Sequence, residues 1–465
     1  MRKYILFVLF MVLSCINTAG QQRLKPFRQG DRVAFVGNSI TDGGHFHSYI
    51  WLYYMTRFPE MRLWIGNLGI GGDTSTEILN RLETDVYGKM PTVVALTFGM
   101  NDSGYLEHNT DTASRFREQR FALVEDNYRK IEDILESHSA RVIQVGTSPY
   151  DQTSRFNDNI YQGKNDFICR MIDMQRESAK KHGWEFLDWN KPMTDYNIGK
   201  QRTDSTFTIC GHDRIHPDND GHMMMAYIFL KAQGMAGKPV ATVCIDAATQ
   251  SVVEATNCRL SCIERTDKGV QFDYLAAALP YPLDTIARGD MVFDRPQSRI
   301  KTLVPDFMKE FNSETLRVLN LKKGSYRLTI DDVVIDTIQD YRLAAGVNLA
   351  EYVCTPQYRQ ALTVMMLNED RWDMERRMRD WAWVEYDYFL KNGVKEADVL
   401  SPEARCMYDR DKQSSWWLAS RRDIYAKMGN KAVRLACEKY QDSIVDEIYR
   451  VNRPVTRHIK LVRVK

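Results

Sequence analysis

Residues 32–41 read Arg-Val-Ala-Phe-Val-Gly-Asn-Ser-Ile-Thr, and this stretch decides the fold of the first half of the chain. Its first six residues form a short apolar run that ends at Gly37, which is typical of a buried strand. Similar runs predict four more strands, at residues 63–68, 92–98, 141–148 and 185–188. The longer stretches between and after them predict helices at residues 49–58, 76–86, 121–137, 166–181 and 222–233.

Strands that alternate with helices favour a parallel sheet that is covered on both faces. The predicted strands are nearly continuous apolar runs, as expected when both faces of a sheet are buried. We therefore predict an α/β fold, a three-layer α/β/α arrangement around a five-stranded parallel sheet of the flavodoxin-like type. This domain is expected to span residues 21–237.

The second half of the chain shows two further patterns. Residues 238–355 contain alternating apolar runs and turn signals, which predict a β-rich extension. Residues 356–465 have the apolar spacing of helices, with long helices expected at residues 365–390 and 423–450. The α/β domain is thus expected to carry a mixed β-then-α extension at its C-terminal side.

The helical region is rich in tryptophan and arginine, and its tryptophans are Trp372, Trp381, Trp383, Trp416 and Trp417. Aromatic residues at helical spacing usually belong to a hydrophobic core. A surface on which sugar rings stack is the other interpretation, and the sequence leaves both open.

The composition indicates a globular protein and argues against some classes of partner. The chain has 465 residues and is 44% hydrophobic and 11% aromatic, so it can bury sizeable cores. Its 63 basic and 61 acidic residues leave a formal charge of +2. No nucleic-acid partner is expected, because such proteins usually carry a basic stripe. The cysteines form no Cys-x-x-Cys pair, so no zinc site is expected either.

The first twenty residues have the layout of a secretory signal peptide. Arg2 and Lys3 precede an apolar run from Tyr4 to Leu13, and small residues follow at positions 18–20. The run is too short for a membrane span, so we expect export to the periplasm or the exterior. A lipid anchor at Cys15 is an alternative, because the residues before it resemble a lipobox.

Polar residues and glycines follow the predicted strands at the points where the strands end. Ser39 follows the first strand, Gly69 the second and Asn101 the third, while Asp213 and His216 precede the last predicted helix. Ligands of an open parallel sheet bind outside the carboxyl ends of its strands. We therefore expect these five residues to meet at one edge of the sheet.

This set of residues is what acyl transfer requires. Ser39 becomes a nucleophile when a neighbouring base accepts its proton, and His216 can be that base. Asp213 can bond the other ring nitrogen of His216 and fix its tautomer. The N–H of Ser39, the N–H of Gly69 and the side-chain amide of Asn101 are the candidate donors to the oxyanion.

Four sequence blocks resemble the SGNH, or GDSL-like, hydrolase superfamily, which is named for its Ser, Gly, Asn and His. In the family's order they are Gly37-x-Ser39, Asn67-x-Gly69, Gly99-x-Asn101-Asp102 and Asp213-x-x-His216-Pro217. The resemblance covers about residues 30–235 and implies a serine esterase with Ser39, Asp213 and His216 as its triad. Asn38 departs from the family's Asp. The triad mechanism requires neither a cofactor nor a metal, so none is expected. The pair His212 and His216 also lacks the Glu of a His-Glu-x-x-His motif, which argues against a metal site.

Exported proteins of this superfamily with a long C-terminal β/α extension look like those of glycan-degrading bacteria. The resemblance therefore implies an esterase that removes O-acetyl groups from an acetylated glycan. Because one fold hosts many acyl substrates, a lipase or long-chain acyl esterase is an alternative. A third reading is a non-catalytic glycan-binding protein on a hydrolase fold.

Overall fold

The computed structural model describes residues 23–158, 160–283 and 299–464, and its first half is a parallel sheet between two layers of helices. The strands are β1 Arg32–Gly37, β2 Trp64–Gly69, β3 Val93–Leu96, β4 Arg141–Gly146 and β5 Glu185–Asp188. They pair in the order β2-β1-β3-β4-β5, and all four pairings are parallel. This is the flavodoxin-like order, so the predicted α/β fold is confirmed.

The helices of this half are α1 Ser39–Asp42, α2 Phe46–Arg57, α3 Ser75–Arg81, α4 Ala113–Ser137, α5 Lys164–His182, α6 Asn190–Gln201 and α7 Asn219–Ala232. A π-helical turn follows α3 at Leu82–Val86, with 3₁₀ turns at Tyr87–Lys89 and Leu106–Asn109. The sequence predicted α2, α3, α5, α7 and most of α4, but neither α1 nor α6. The helix α6 contains Pro192 and Gly199, which disfavour a helix in sequence, and it buries only three residues and so shows little periodicity: Asn190, Met193 and Asn197.

The side chains of β1 alternate between the two faces of the sheet. Val33 and Phe35 share a core with α2 and α7, whereas Ala34 and Val36 share a core with α3 and α4. All four side chains are buried, so both faces of the sheet lie inside the protein. The point at which β1 ends and α1 begins is therefore fixed by packing on both sides.

The next part of the chain forms two sheets that enclose a second core. Its strands are β6 Ala241–Asp246, β7 Ser251–Thr256, β8 Cys258–Thr266, β9 Gly269–Ala276, β10 Glu314–Leu319, β11 Ser325–Ile330, β12 Val333–Gln339 and β13 Val347–Asn348. Short helices interrupt them: α8 Ile300–Leu303, α9 Phe307–Phe311 and α10 Asp340–Ala345, with a 3₁₀ turn at Leu349–Glu351. One sheet has the order β13-β10-β6-β7, and the other contains the hairpins β8-β9 and β11-β12.

The C-terminal region is mainly helical but ends in a strand. Its helices are α11 Pro356–Ala382, α12 Pro402–Asp411, α13 Trp416–Ser420, α14 Arg422–Met428 and α15 Lys431–Val451. A π-helical turn extends α11 at Trp383–Phe389, and 3₁₀ turns lie at Leu390–Asn392 and Glu396–Asp398. The strand β14, Arg457–Val464, pairs with both β9 and β11. The prediction of helix up to residue 465 is wrong for this strand, whose buried Ile459 and Leu461 complete the core of the two sheets.

Three further expectations concern the N-terminal signal peptide, membrane-spanning helices and the cysteines. The predicted signal peptide at residues 1–20, with Cys15, lies outside the described residues. Within the described ranges, no helix combines the length and the apolar character needed to cross a membrane. The cysteines in those ranges are free, and they include the buried Cys210 and the exposed Cys406.

Helix α11 packs directly on the α/β domain. Thr355 caps it by accepting the N–H of Tyr358, and Pro356 occupies its first turn. Ala361, Val364 and Met365 lie in the same buried core as α2. The helical region is therefore joined to the α/β domain by shared hydrophobic packing.

A buried carboxylate links α11 to the parallel sheet. Asp85, in the turn after α3, accepts hydrogen bonds from Arg379 at 2.9 and 2.7 Å and from Arg81 at 2.6 Å. Arg81 also donates to the Gly37 carbonyl at 3.1 Å, and Arg379 donates to the Gly69 carbonyl at 2.9 Å. Burial opposes the ionisation of Asp85, but the two arginines outweigh it and hold its pKa at about 2. This network ties the ends of β1 and β2 to the C-terminal helix.

We expect Asp85→Asn to destabilise the protein strongly. The amide keeps the shape of the side chain but removes the carboxylate that pairs with Arg379 and one of the two that pair with Arg81, whose other partner is Asp73; both arginines are buried. Breaking a buried ion pair by neutralising one partner typically costs about 3–5 kcal/mol. The measurement is the free energy of unfolding in urea, followed by circular dichroism.

Asp126→Asn is the matched control, because Asp126 pairs with Lys130 on the surface and both side chains are more than half exposed. Its effect should stay within about 0.5 kcal/mol. Because the folded-state pKa of Asp85 is depressed, its stabilisation is present above about pH 4 and is lost as the pH falls towards 2. Equal effects of the two substitutions would contradict a central role for Asp85.

Candidate active site

Ser39 lies at the first position of α1, directly after β1. Asn38 caps this short helix, since its side-chain oxygen accepts the N–H of Ile40 at 3.0 Å. The Ser39 Oγ lies 2.7 Å from His216 Nε2, and His216 Nδ1 lies 2.5 Å from Asp213 Oδ2. The structure therefore brings together the three residues that the sequence predicts as a triad, although His216 is 177 positions from Ser39.

The loop that carries Asp213 and His216 is held rigidly. The Asp213 Oδ1 atom accepts the N–H groups of Ile215 and His216, both at 2.9 Å. Gly211 adopts a φ of +75°, and a Cβ there would lie only 2.0 Å from the His216 carbonyl oxygen. Glycine is thus required for the loop to bring the imidazole beside Ser39.

Arg214 also holds this loop in place, a role that the sequence did not predict. Its guanidinium is buried and donates to the carbonyls of Asp151 and Ser154 at 2.9 Å and of Asn157 at 2.7 Å. Its own backbone has a φ of +69°, a strained conformation for a residue with a side chain. An arginine between Asp213 and His216 gave no signal of this role, because its acceptors are about sixty residues away in the sequence.

The electrostatics favour an ionised Asp213. Its partial burial opposes ionisation, but the hydrogen bond and charge of His216, together with the backbone N–H groups, leave its pKa below the usual value. An ionised carboxylate accepts a hydrogen bond from Nδ1–H of His216, which keeps the proton on Nδ1 and leaves Nε2 free to act as a base toward Ser39. The arrangement has the geometry needed for proton transfer from the serine hydroxyl.

Asn101 lies in the loop after β3, with its side-chain amide fixed at both ends. Its Nδ2 donates to the Asp73 carbonyl at 2.9 Å, and its Oδ1 accepts from the Tyr105 hydroxyl at 2.5 Å. Asp102, buried next to it, accepts the N–H groups of Ser75 and Gly99 and so orders the loop. The second hydrogen of the Asn101 amide remains available for a substrate oxygen.

The structure corrects the prediction for Gly69. Its N–H donates to the side-chain oxygen of Asn67 at 3.0 Å and is therefore not free to bind an oxyanion. A Cβ on Gly69 would lie 2.3 Å from the Asp42 nitrogen, so this glycine permits β2 to pack against α1. The neighbouring turn lies beside the nucleophile, because a Cβ on Gly71 would lie 3.9 Å from the Ser39 Cβ. Gly72 is exposed there with a φ of +95°.

The turn after Ser39 is braced by α11. The Trp372 indole donates to the Gly44 carbonyl at 3.1 Å, and Arg376 donates to the carbonyl and the carboxylate of Asp42. His45 stacks on Trp372, with ring centroids 3.9 Å apart. The extension therefore acts as structural support for the nucleophile, and Trp372 belongs to a packed interior.

The remaining histidines near Ser39 are structural. His45, His47 and His222 are buried, and burial lowers the pKa of His47 to about 3. No group of three or more His, Cys, Asp or Glu side chains that could hold a metal ion occurs in residues 23–158, 160–283 and 299–464. The tryptophans divide between the two interpretations, since Trp381 is buried whereas Trp416 is 72% exposed.

Comparisons with known proteins agree with this geometry. The sequence model of the GDSL-like Lipase/Acylhydrolase family matches residues 35–224. The model of the Diltiazem deacetylase C-terminal helical domain matches residues 362–453. The chain belongs to the GDSL-like, or SGNH, hydrolase family, and it is an esterase of that family.

Two similar proteins match different shares of the chain. The solved structure of a gut microbial diltiazem-metabolizing enzyme is 49% identical, with a TM-score of 0.92 over 96% of this chain and 100% of that chain. An acetylxylan esterase from Geobacillus stearothermophilus is 22% identical over 224 residues, which cover 44% of this chain and 94% of the relative. The first similarity extends over both halves of the chain, and the second only over the α/β domain.

We expect Gly69→Ala to lower the free energy of unfolding by about 1–3 kcal/mol, the usual cost of overpacking. The added methyl group would collide with the backbone of α1, which cannot yield as a flexible side chain could. Gly71→Ala is the matched control, because its methyl group meets only ordinary contacts at 3.4 Å or more. It should change stability by no more than about 1 kcal/mol. Urea unfolding of both variants measures the difference, and a milder effect at Gly69 than at Gly71 would be inconsistent with this packing.

Proposed function

We propose that this esterase removes O-acetyl groups from oligosaccharides or polysaccharides, with Ser39, His216 and Asp213 as its catalytic triad. The observation that carries the catalytic assignment is the 2.7 Å contact between Ser39 Oγ and His216 Nε2. The diltiazem deacetylase similarity of residues 362–453 supports an acetyl ester as the scissile group. The glycan class is supported by the acetylxylan esterase that is 22% identical over 44% of this chain.

The reaction proceeds in two steps. Ser39 Oγ attacks the ester carbonyl while His216 Nε2 takes its proton, and the tetrahedral intermediate collapses when His216 protonates the departing sugar oxygen. A water molecule, deprotonated by the same nitrogen, then attacks the acetyl-serine, and His216 returns the proton to Ser39 Oγ as acetate leaves. Asp213 holds the imidazole in the required tautomer throughout.

The oxyanion is bound by three groups at the end of the sheet. The first is the Ser39 N–H, at the first turn of α1, where helix amides lack an intrahelical acceptor. The second is the free hydrogen of the Asn101 amide. We assign the third to the Gly71–Gly72 turn, in place of Gly69, whose N–H is occupied.

The first twenty residues bear on where in the cell the protein acts. We propose that they direct the protein to the periplasm or the exterior, where an acetylated glycan would be encountered, and that the mature protein has no lipid anchor at Cys15. N-terminal sequencing of protein recovered from the periplasm would test cleavage near residue 20. A mature chain that begins at Cys15 with an attached lipid would contradict the proposal.

The direct test is acetate release from acetylated xylo-oligosaccharides, other acetylated glycans and diltiazem. Ser39→Ala should reduce release at least 10³-fold, because the nucleophile is lost. Ser137→Ala, an exposed position in α4, is the control and should leave the rate unchanged. Release from diltiazem alone would contradict the glycan assignment. Release from long-chain acyl esters alone would favour a lipase.

Asp213→Asn should lower kcat by about 10²–10⁴-fold, because an amide at this position favours the wrong tautomer of His216. The substitution preserves size, so the fold should be retained and near-ultraviolet circular dichroism should be unchanged. Steady-state kinetics on p-nitrophenyl acetate measures the effect. A loss smaller than threefold with an intact fold would show that Asp213 does not serve His216 in the reaction.

A further inference from the structure

Lys164 is a buried lysine beneath the loop that carries Asn101. It is the first residue of α5 and is 0% exposed. Its Nζ atom donates to the Met100 carbonyl at 2.7 Å and to the Ser103 hydroxyl and the Gly104 carbonyl at 2.5 Å. None of these acceptors is a carboxylate, and burial lowers the pKa of Lys164 to about 7. The three hydrogen bonds of Lys164 therefore hold the loop between residues 100 and 104 in place.

The same ammonium group also fixes the ring of Tyr105. The Lys164 Nζ lies 4.0 Å from the centroid of this ring, which is the distance of a cation–π contact. Tyr161 meets the ring edge-on, with centroids 5.7 Å apart and planes at 72°. Burial raises the pKa of Tyr105 above its usual value, so the hydroxyl stays protonated and can donate.

The Asn101 amide is held by a partner at each end. Asn101 Nδ2 donates to the Asp73 carbonyl, and Asn101 Oδ1 accepts from the Tyr105 hydroxyl. The Asp73 carbonyl can only accept, so a flipped amide would lose that hydrogen bond, and the Tyr105 hydroxyl fixes the amide in the orientation that the carbonyl requires. With Tyr105 in place, both amide hydrogens lie on the side of the 71–73 loop, and one is left for the substrate.

We propose that Tyr105 is a positioning residue for the reaction, which holds the amide of Asn101 in place as an oxyanion donor while Lys164 holds the ring of Tyr105. The inference rests on the proposed oxyanion role of Asn101. Tyr105 acts through Asn101 and not by contact with the reacting atoms.

The test is a double-mutant cycle on the full-length esterase with p-nitrophenyl acetate. Asn101→Ala should lower kcat by about 10²–10³-fold, the usual effect of removing one oxyanion donor. Tyr105→Phe keeps the ring over Lys164 but removes the hydroxyl, and it should lower kcat about 5- to 50-fold while KM changes less than twofold. The double variant should be no slower than Asn101→Ala alone, because the hydroxyl has nothing left to orient.

Tyr161→Phe is the matched control, since it removes a hydroxyl from the adjoining ring without touching Asn101, and its kcat should equal that of the wild type. Thermal unfolding of each variant establishes that the fold is intact. A kcat for Tyr105→Phe within twofold of the wild type would overturn the positioning role. So would additive losses in the double variant, which would indicate direct contact with substrate. Full activity of Asn101→Ala would instead refute the oxyanion assignment on which the inference rests.

Discussion

The carboxylate of Asp85, held between Arg81 and Arg379, is the interaction on which the arrangement of this esterase depends. Each arginine also binds the carbonyl at the end of one strand of the parallel sheet: Arg81 binds Gly37 of β1, and Arg379 binds Gly69 of β2. Those two strand ends support the turn of Ser39 and the loop beside it. One buried charge therefore sets the distance between the nucleophile and a helix that begins more than three hundred residues later in the chain.

The catalytic machinery is accordingly spread over more of the protein than the family motifs suggest. The motifs lie in the α/β domain, yet Trp372 and Arg376 of α11 hold the backbone that directly follows Ser39. On the opposite side, Lys164 and Tyr105 hold the loop of Asn101. The reacting groups project from short loops, and their precision comes from long side chains that reach those loops from several helices.

Much of the α/β domain could be predicted because its signals are local. Buried parallel strands are continuous apolar runs, and β1 and β5 begin and end at the predicted residues. The residues of the triad stand out because they follow strand ends in a fixed order. The sequence misassigned Gly69 because Gly69, Gly71 and Gly72 look alike there, whereas in the structure the hydrogen bond to Asn67 and the close packing on α1 distinguish Gly69. The partners of α11 depend on contacts between distant residues, which no periodicity reveals.

The strand β14 has a consequence for how the chain is made. It lies between β9 and β11 in the second sheet, so the two hairpins are not joined into one sheet until residues 457–464 have left the ribosome. The α/β domain, by contrast, contains its complete sheet by Asp188. In the extension, the strands of this sheet are therefore synthesised before the sheet can assemble, because pairing of strands far apart in the sequence is slow. During that interval the edges of β9 and β11 are open to pairing with other chains.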